Sequence, residues 1–463
     1  MQKLFDEVGS LDKRCYEEFG LNEDILMEHA ADGIAKFIRK KFAKNSKIII
    51  ASGSGNNGAD GLACARLLHG DYDVNIFFVK KPKSPMTLLQ QKRAKKISVK
   101  ECLELSSCDV LIDAVVGTGF KGEFNDELKT IMQKLNSISA FKIACDVPSG
   151  LKSNGECVKE CFVADVSLTM GALKKSMFLD KAKDFVGKIK VLNLGVSRNI
   201  YETNSNWNLL EMDDLKLPHR DKKDSHKGNF GHLAIACGEK SGASKMSALS
   251  ALKFGSGLVT LVGYKDKQIP DAIMYSHELP KNTTALALGM GLGYEFNSLQ
   301  LNKFLDNDLS LIADADIFHM PILLRILKRK NIVLTPHAKE FVSILKQTNL
   351  ANISTEELQK NRFEYVEKFC KKFPNATLVL KGANIIIGKN NKFLINPHGT
   401  SKLAKGGSGD VLSGLIGSLL AQGYEPLESA KNASLAHVKL AKLYKGVNFS
   451  LTPYDLIKQI GNL

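Results

Sequence analysis

Short apolar runs that end in glycine and pass into helical segments recur along the whole chain, and few folds accept that pattern. The stretch "KIIIASGSGNNGADGLACARLL" shows it at full strength: a short apolar run, a glycine loop, then a helix. A run apolar on both faces and bounded by turn residues reads as a buried strand. In the first half "VNIFFV", "DVLIDAVVG", "FKIACDVPSG" and "KIKVLNLGV" repeat the signal, and "ILMEHAADGIAKFIRKKF" has helical apolar spacing with a basic end. In the second half the strand candidates are "HLAIACG", "LVTLVG", "ALALGMGLG", "LSLIADADI", "NIVLTPH", "ATLVLKG", "NIIIGKN" and "KFLINP". Strands alternating with helices predict a parallel sheet covered on both faces, an α/β fold. A chain of 463 residues exceeds one ordinary core. From residue 197 to about 224 the pattern gives way to a polar, turn-rich stretch containing Pro218, read as a linker. Two three-layer domains are therefore expected, residues 1–205 and 206–463.

The totals exclude some classes. The 44% hydrophobic and 24% charged fractions are those of globular proteins. The net charge of +15 would suit polyanions. Yet the lysines are scattered, with no basic tail and no aromatic–basic interleaving, so a solvated basic surface is expected and no nucleic-acid partner. The 9 cysteines make no CxxC pair; Cys157 and Cys161 form one CxxxC without a second half, a weak metal signal. Reduced thiols fit better. The N-terminus mixes charges from residue 3 onward, and no apolar run approaches the ~20 residues of a membrane span. A cytoplasmic protein without a membrane partner is expected.

In open α/β sheets ligands bind beyond the carboxyl ends of the strands. Gly53, Gly55 and Gly58 give G-x-G-x-x-G after a strand and before a helix, the context of a nucleotide-phosphate loop. A dehydrogenase would carry an acidic residue roughly 20 positions on; here "VNIFFVKKPK" ends in lysines. Two further loops carry carboxylates, Asp113 in "IDAVVGTGF" and Asp146 in "CDVPSG". The oxygen donors Asn57, Asp113 and Ser149 would suit a hard cation if the loops converge; each alone could fill a turn.

In the second half "LAKGGSGDVLSGLIGSLLAQG" places Gly406, Gly407 and Gly409 before an apolar helix. Free N–H groups and the positive dipole end there suit a phosphate, yet Asp410 stands among them. It could cap the helix, or its charge could serve chemistry. "GANIIIGK" only superficially matches a P-loop: it has five residues between the glycines and Asn390 after the lysine, so a turn between two strands is expected.

These pieces carry resemblances. "GSGNNGADG", "DAVVGTGF" and "DVPSG", with "LMEHAA" upstream, resemble the NAD(P)H-hydrate epimerase domain, over about residues 1–200. The resemblance implies a Rossmann-like parallel sheet, with potassium on Asn57, Asp113 and Ser149. It implies substrate contacts from Asn56, Asn57, Gly58, Ala59 and Asp60, from Gly117, Thr118, Gly119, Phe120, Lys121, Gly122 and Glu123, and from Asp146. The substrate class is a nicotinamide ring hydrated at one carbon. Asp146 is the candidate acid/base, because a nearby carboxyl can move the proton that lets hydroxide leave and return. "HKGNFGHLAIACG", "GASKMSALSAL", "TPHAKEF", "LVLKGANIIIG" and "NPHGTSKLAKGGSGDVLSG" resemble the ADP-dependent NAD(P)H-hydrate dehydratase family, which is ribokinase-like, over about residues 215–463. That implies Ala243, Gly291, His337 and Asp410 against the hydrated cofactor, and Lys381, Gly382, Ala383, Asn384, Ile385 and Gly409 against an adenine nucleotide with Mg2+. In such a site the amides hold the phosphoryl group and the Asp takes the acceptor's proton, which favours the chemical role for Asp410.

The resulting expectation is a bifunctional enzyme. It epimerises NADHX and NADPHX, the hydrated forms of NADH and NADPH, and dehydrates the S form with ADP, giving AMP and phosphate. A homo-oligomer is expected. The alternatives are a ribokinase-like kinase of a small hydroxylated metabolite fused to a nucleotide-binding domain, and a nucleotide-sensing protein without turnover.

Overall fold

The computed structural model describes residues 1–264, 268–293 and 298–463. Two compact units emerge: Gln2–Trp207, and Asn208–Leu463 together with Met1.

In the first unit seven parallel strands lie in the order Lys100–Cys102, Asp73–Phe78, Lys47–Ser52, Val110–Ala114, Phe141–Cys145, Val166–Met170, Lys188–Leu192. From Lys47–Ser52 the chain steps outward twice, returns to Val110–Ala114, and then steps the other way. Crossovers between parallel strands are right-handed, so the helices on either side of this reversal fall on opposite faces. The reversal opens a crevice at the carboxyl ends of Lys47–Ser52 and Val110–Ala114. The core is the apolar set expected of strands buried on both faces, including Ile48, Ile50, Val110, Ile112 and Ile143.

One interior strand, next to the sheet edge, carries too little apolar signal to be read in sequence. Val166–Met170, "VSLTM", interrupts its apolar residues with Ser167 and Thr169, both fully buried. The burial is tolerated because each hydroxyl is bonded: Ser167 Oγ donates to the Val186 carbonyl at 2.8 Å and Thr169 Oγ1 to Asp146 at 3.0 Å. The polar stretch from residue 197 is not all linker either. Arg198–Tyr201 is a helical turn, and Tyr201, 1% exposed, packs with Leu11, Cys15 and Leu26.

The second unit repeats the device. Seven strands run parallel in the order Met274–Ser276, Leu258–Gly263, His232–Cys237, Ala285–Leu288, Ser310–Ala313, Ile332–Leu334, Ala376–Leu380. Ile385–Lys389 and Lys392–Asn396 then continue the sheet antiparallel. The order reverses between His232–Cys237 and Ala285–Leu288. Of the would-be P-loop, Gly382 to Asn384 lie in the turn after strand Ala376–Leu380, and the rest is the next strand, Ile385–Lys389. Helix Ser408–Ala421 packs on helix Ser241–Lys253. Gly414 makes that possible: a Cβ there would lie 1.9 Å from Ser250 Oγ.

Candidate active sites

The first unit holds a cleft of about 580 Å³ at its strand reversal. The glycine loop forms one wall. Gly55 is the N-cap of helix Asn56–Leu68. Gly53 and Gly58 are required by close approach: a Cβ on Gly53 would lie 1.8 Å from the Val115 carbonyl oxygen, and one on Gly58 2.2 Å from that of Gly53. The opposite wall is the 115–121 loop, and Asp146 lies between them.

Of the residues expected at this site, Asn56, Asn57, Asp60, Gly117, Thr118, Gly119, Phe120, Lys121 and Asp146 line the cleft. Gly58 and Ala59 lie behind it, Ala59 packed with Met27 and Met86. Gly122 and Glu123 are exposed outside it, where Glu123 pairs with Lys152 at 2.9 Å. Asp113 and Ser149 meet beneath the loops. Ser149 donates to both Asp113 oxygens, from Oγ at 2.6 Å and from its amide at 2.7 Å. Burial pushes the Asp113 carboxyl up to about 6, against the hydrogen bonds from Ser149. Asn57 approaches the 115–121 loop, its Cγ 3.5 Å from where a Gly117 Cβ would stand. Its buried amide oxygen and nitrogen have no hydrogen-bond partner among the described residues.

Asp146 adopts φ 70°, the left-handed region, at the end of strand Phe141–Cys145. Its Oδ1 accepts from Lys174 Nζ at 2.5 Å, Thr169 Oγ1 at 3.0 Å and the Met170 amide at 3.0 Å. Asp60, 7% exposed, lies on the cleft wall; burial first, and then the nearby Asp146 charge, raises its proton affinity strongly. Asp12 also lines the cleft and accepts from Tyr201 at 2.7 Å. Sequence reasoning missed Asp12, Thr169 and Lys174, which sit in no recognisable motif.

The second site gathers at the start of helix Ser408–Ala421. Gly407 is its N-cap at φ 85°. Asp410 is the third residue of the helix, the acidic group of its first turn. Its own backbone carbonyl accepts from Ser247 Oγ at 2.8 Å. Burial, then the Asp314 charge, pushes the Asp410 carboxyl up to about 6, with Lys381 working the other way. Lys381 stands across the helix start: its Nζ would be 3.5 Å from a Cβ on Gly409, and lies 2.9 Å from Asp314 and 3.8 Å from Glu340. Burial would lower the Lys381 ammonium's affinity for its proton, but Asp314 and Glu340 raise it overall.

Gly382 and Ala383 are exposed at the turn after Lys381, while Asn384 and Ile385 are buried. Arg362, 1% exposed, fixes that turn by donating from Nη2 to the carbonyls of Leu380, Lys381 and Asn384 at 3.2, 3.2 and 3.4 Å. Gly291 is half-buried at φ 70°, where a Cβ would meet the Lys240 carbonyl at 2.2 Å. Ala243 is half-buried in the first turn of helix Ser241–Lys253. His337 is an exposed N-cap whose Nδ1 accepts from the Glu340 amide at 3.3 Å. Asp314 and Arg362 were not singled out in sequence. For Asp314 a signal existed, since "LIADADI" puts a carboxylate directly after a strand.

Glycine loops and buried carboxylates at the strand ends of both units are the layout of a two-domain α/β enzyme. Comparison with known proteins narrows the class. Residues 233–462 match the family profile described as NAD(P)H-hydrate dehydratase, and residues 23–176 the one described as YjeF-related protein N-terminus. A bifunctional NAD(P)H-hydrate repair enzyme of Helicobacter pylori is 44% identical over 474 aligned residues, with 100% of each chain covered. Its counterpart in Dictyoglomus turgidum is 32% identical, covering 98% of this chain and 96% of its own. Among solved structures, an ADP/ATP-dependent NAD(P)H-hydrate dehydratase from Bacillus subtilis, co-crystallized with ATP/Mg2+, is similar at 28% identity and a TM-score of 0.46, covering 53% of this chain and 92% of that one. The chain belongs to the family of bifunctional NAD(P)H-hydrate repair enzymes.

Proposed function

We propose that the first unit interconverts the R and S forms of hydrated NADH and NADPH at the cleft, and that the second dehydrates the S form with ADP. The single observation that carries the second assignment is Asp410. It is a largely buried carboxylate with a raised proton affinity, beside a glycine loop that opens a helix and within the field of Lys381.

In the second unit Asp410 takes the proton of the ring hydroxyl. The freed oxygen attacks the terminal phosphoryl of ADP, held by the amides around Gly409, and AMP leaves. Phosphate then departs as the ring nitrogen's lone pair forms a double bond to carbon. Loss of a proton from the neighbouring carbon restores the dihydropyridine. Lys381 balances the phosphate charge, and the turn through Gly382, Ala383, Asn384 and Ile385, held by Arg362, receives the nucleotide. Ala243, Gly291 and His337 would bound the hydrated ring. Among the described residues no group of three or more His, Cys, Asp or Glu could hold a metal. Mg2+ would therefore be carried chiefly by the phosphates and water, as is usual for that ion.

In the first unit Asp146, paired with Lys174, is the proposed acid/base for departure of the hydroxyl and return of water from the other face. Asn57, Asp113 and Ser149 offer hard oxygen donors, and the buried, unpartnered Asn57 amide oxygen suits a cation ligand. A potassium ion there would supply charge that draws the loops together. All nine cysteines are free thiols. Among the described residues no helix is long and apolar enough to cross a membrane.

The test mixes the purified protein with both epimers of hydrated NADH, ADP, Mg2+ and potassium, and follows the near-ultraviolet absorbance of NADH. Conversion of both epimers, above the spontaneous rate, supports the two assignments. Conversion of the S form alone removes the epimerase assignment. A stable phosphorylated product in place of NADH would make the second unit a kinase.

A further inference from the structure

Asp314 belongs to no motif used above, yet its carboxylate joins the elements that meet at the second site. It follows strand Ser310–Ala313 and is 2% exposed. Oδ1 accepts from Lys381 Nζ and from the Ala315 amide, both at 2.9 Å, and Oδ2 accepts from Ser413 Oγ at 2.6 Å. Ser413 lies on the same helix as Asp410, and Lys381 directly follows strand Ala376–Leu380. The backbone is built to keep the carboxylate there: Gly289, at φ 116°, would carry a Cβ 1.7 Å from the Asp314 carbonyl oxygen, so only glycine lets the neighbouring strand end this close.

We propose that Asp314 is a positioning residue for dehydration: by tying the Lys381 ammonium across the helix start, beside Gly409, it holds that cation in place relative to Asp410, the base that takes the substrate's proton. This rests on the role of Asp410 given above. The charged groups acting on Asp410 are Asp314, Lys381 and Asp316; Glu340 faces Lys381 from helix Ala338–Gln347. Two opposed charges of fixed position hold a carboxylate's proton affinity at a chosen value. Asp314 acts on it twice, by its own repulsion and by restraining the lysine. Without Asp314, repulsion is lost and Lys381 turns to Asp410, so Asp410 ionises at lower pH and is a weaker base.

The experiment is a pH profile of kcat/KM for the S hydrate at saturating ADP and Mg2+, with Asp314→Asn, Lys381→Met and Asp410→Asn beside the unaltered full chain. Activity needs ionised Asp410, so it rises with pH through that group's titration. Asp314→Asn is expected to move this acid limb down by about one pH unit and to lower the plateau by tenfold or more. Lys381→Met is expected to move it up by a similar amount, so the proposal stays testable if Asp314→Asn folds poorly. A lowered plateau with an unmoved limb in Asp314→Asn, or limbs that move the same way in the two variants, overturns the proposal and leaves Asp314 a structural residue. Full activity in Asp410→Asn overturns instead the role of Asp410 on which it rests.

Discussion

The Lys174 ammonium lies 2.5 Å from the Asp146 carboxylate, on a side chain 1% exposed. Its other donors go to Thr169 Oγ1 at 2.9 Å and the Met170 carbonyl at 3.2 Å. Removing one member of a buried pair strands the other's charge, at about 3–5 kcal/mol. Lys174→Met should therefore lower the unfolding free energy of the first unit in urea by that order and abolish epimerisation. Near-normal stability and turnover would show that the pair neither holds the fold nor serves the site.

Asp410→Asn should cost dehydration about 10²–10⁴-fold, the usual weight of a positioned base. It should also stabilise the second unit. Asp410 binds its proton more tightly folded, at about 6, than unfolded. Its ionised form therefore opposes folding above that pH, and the opposition disappears once both states are protonated, below about 4. The variant should gain on the order of 1–2 kcal/mol at pH 8 and nothing at pH 4. Thermal melts at the two pH values check the sign; an equal gain at both would assign the change to something other than this charge.

Exchanging potassium for sodium should slow epimerisation and lower the first unit's melting temperature. Asn57→Ala should remove most of the difference between the two salts. The prediction follows from the Asn57 amide, buried without a partner among the described residues, and from the buried Asp113–Ser149 pair proposed to share the cation with it. A salt response unchanged in Asn57→Ala would place the cation elsewhere.

Two nearby glycines should respond unequally to alanine. A Cβ at Gly53 would overlap the Val115 carbonyl at 1.8 Å, whereas one at Gly55 meets nothing within 4 Å. Gly53→Ala should destabilise by about 1–3 kcal/mol or more, as overpacking does, and Gly55→Ala by only a few tenths. Chemical denaturation of both variants decides; equal losses would mean that loop entropy, not contact, sets the preference.

Much of this was legible in the chain. Ile48–Ile50 and Leu233–Cys237 are apolar over short lengths, and such runs form strands wherever they are buried, so the α/β class and most of its strands follow from local composition. The glycine loops at Gly53–Gly58 and Gly406–Gly409 are local too, because they answer to the chain immediately before and after them. The buried "VSLTM" strand was not legible. Its hydroxyls look like a surface until partners distant in sequence, the Val186 carbonyl and Asp146, satisfy them.

What the sequence alone determined was which residue types stand at the strand ends: Asn57, Asp113, Asp146 and Ser149 in one unit, Lys381 and Asp410 in the other. What only the tertiary structure decided was their electrostatic state. Lys174 meets Asp146 from 28 positions away, Asp314 meets Lys381 from 67, and Ser413 meets Asp314 from 99. A carboxylate's proton affinity depends on burial and on charges within a few ångströms, and those distances exist only once the strands are laid side by side.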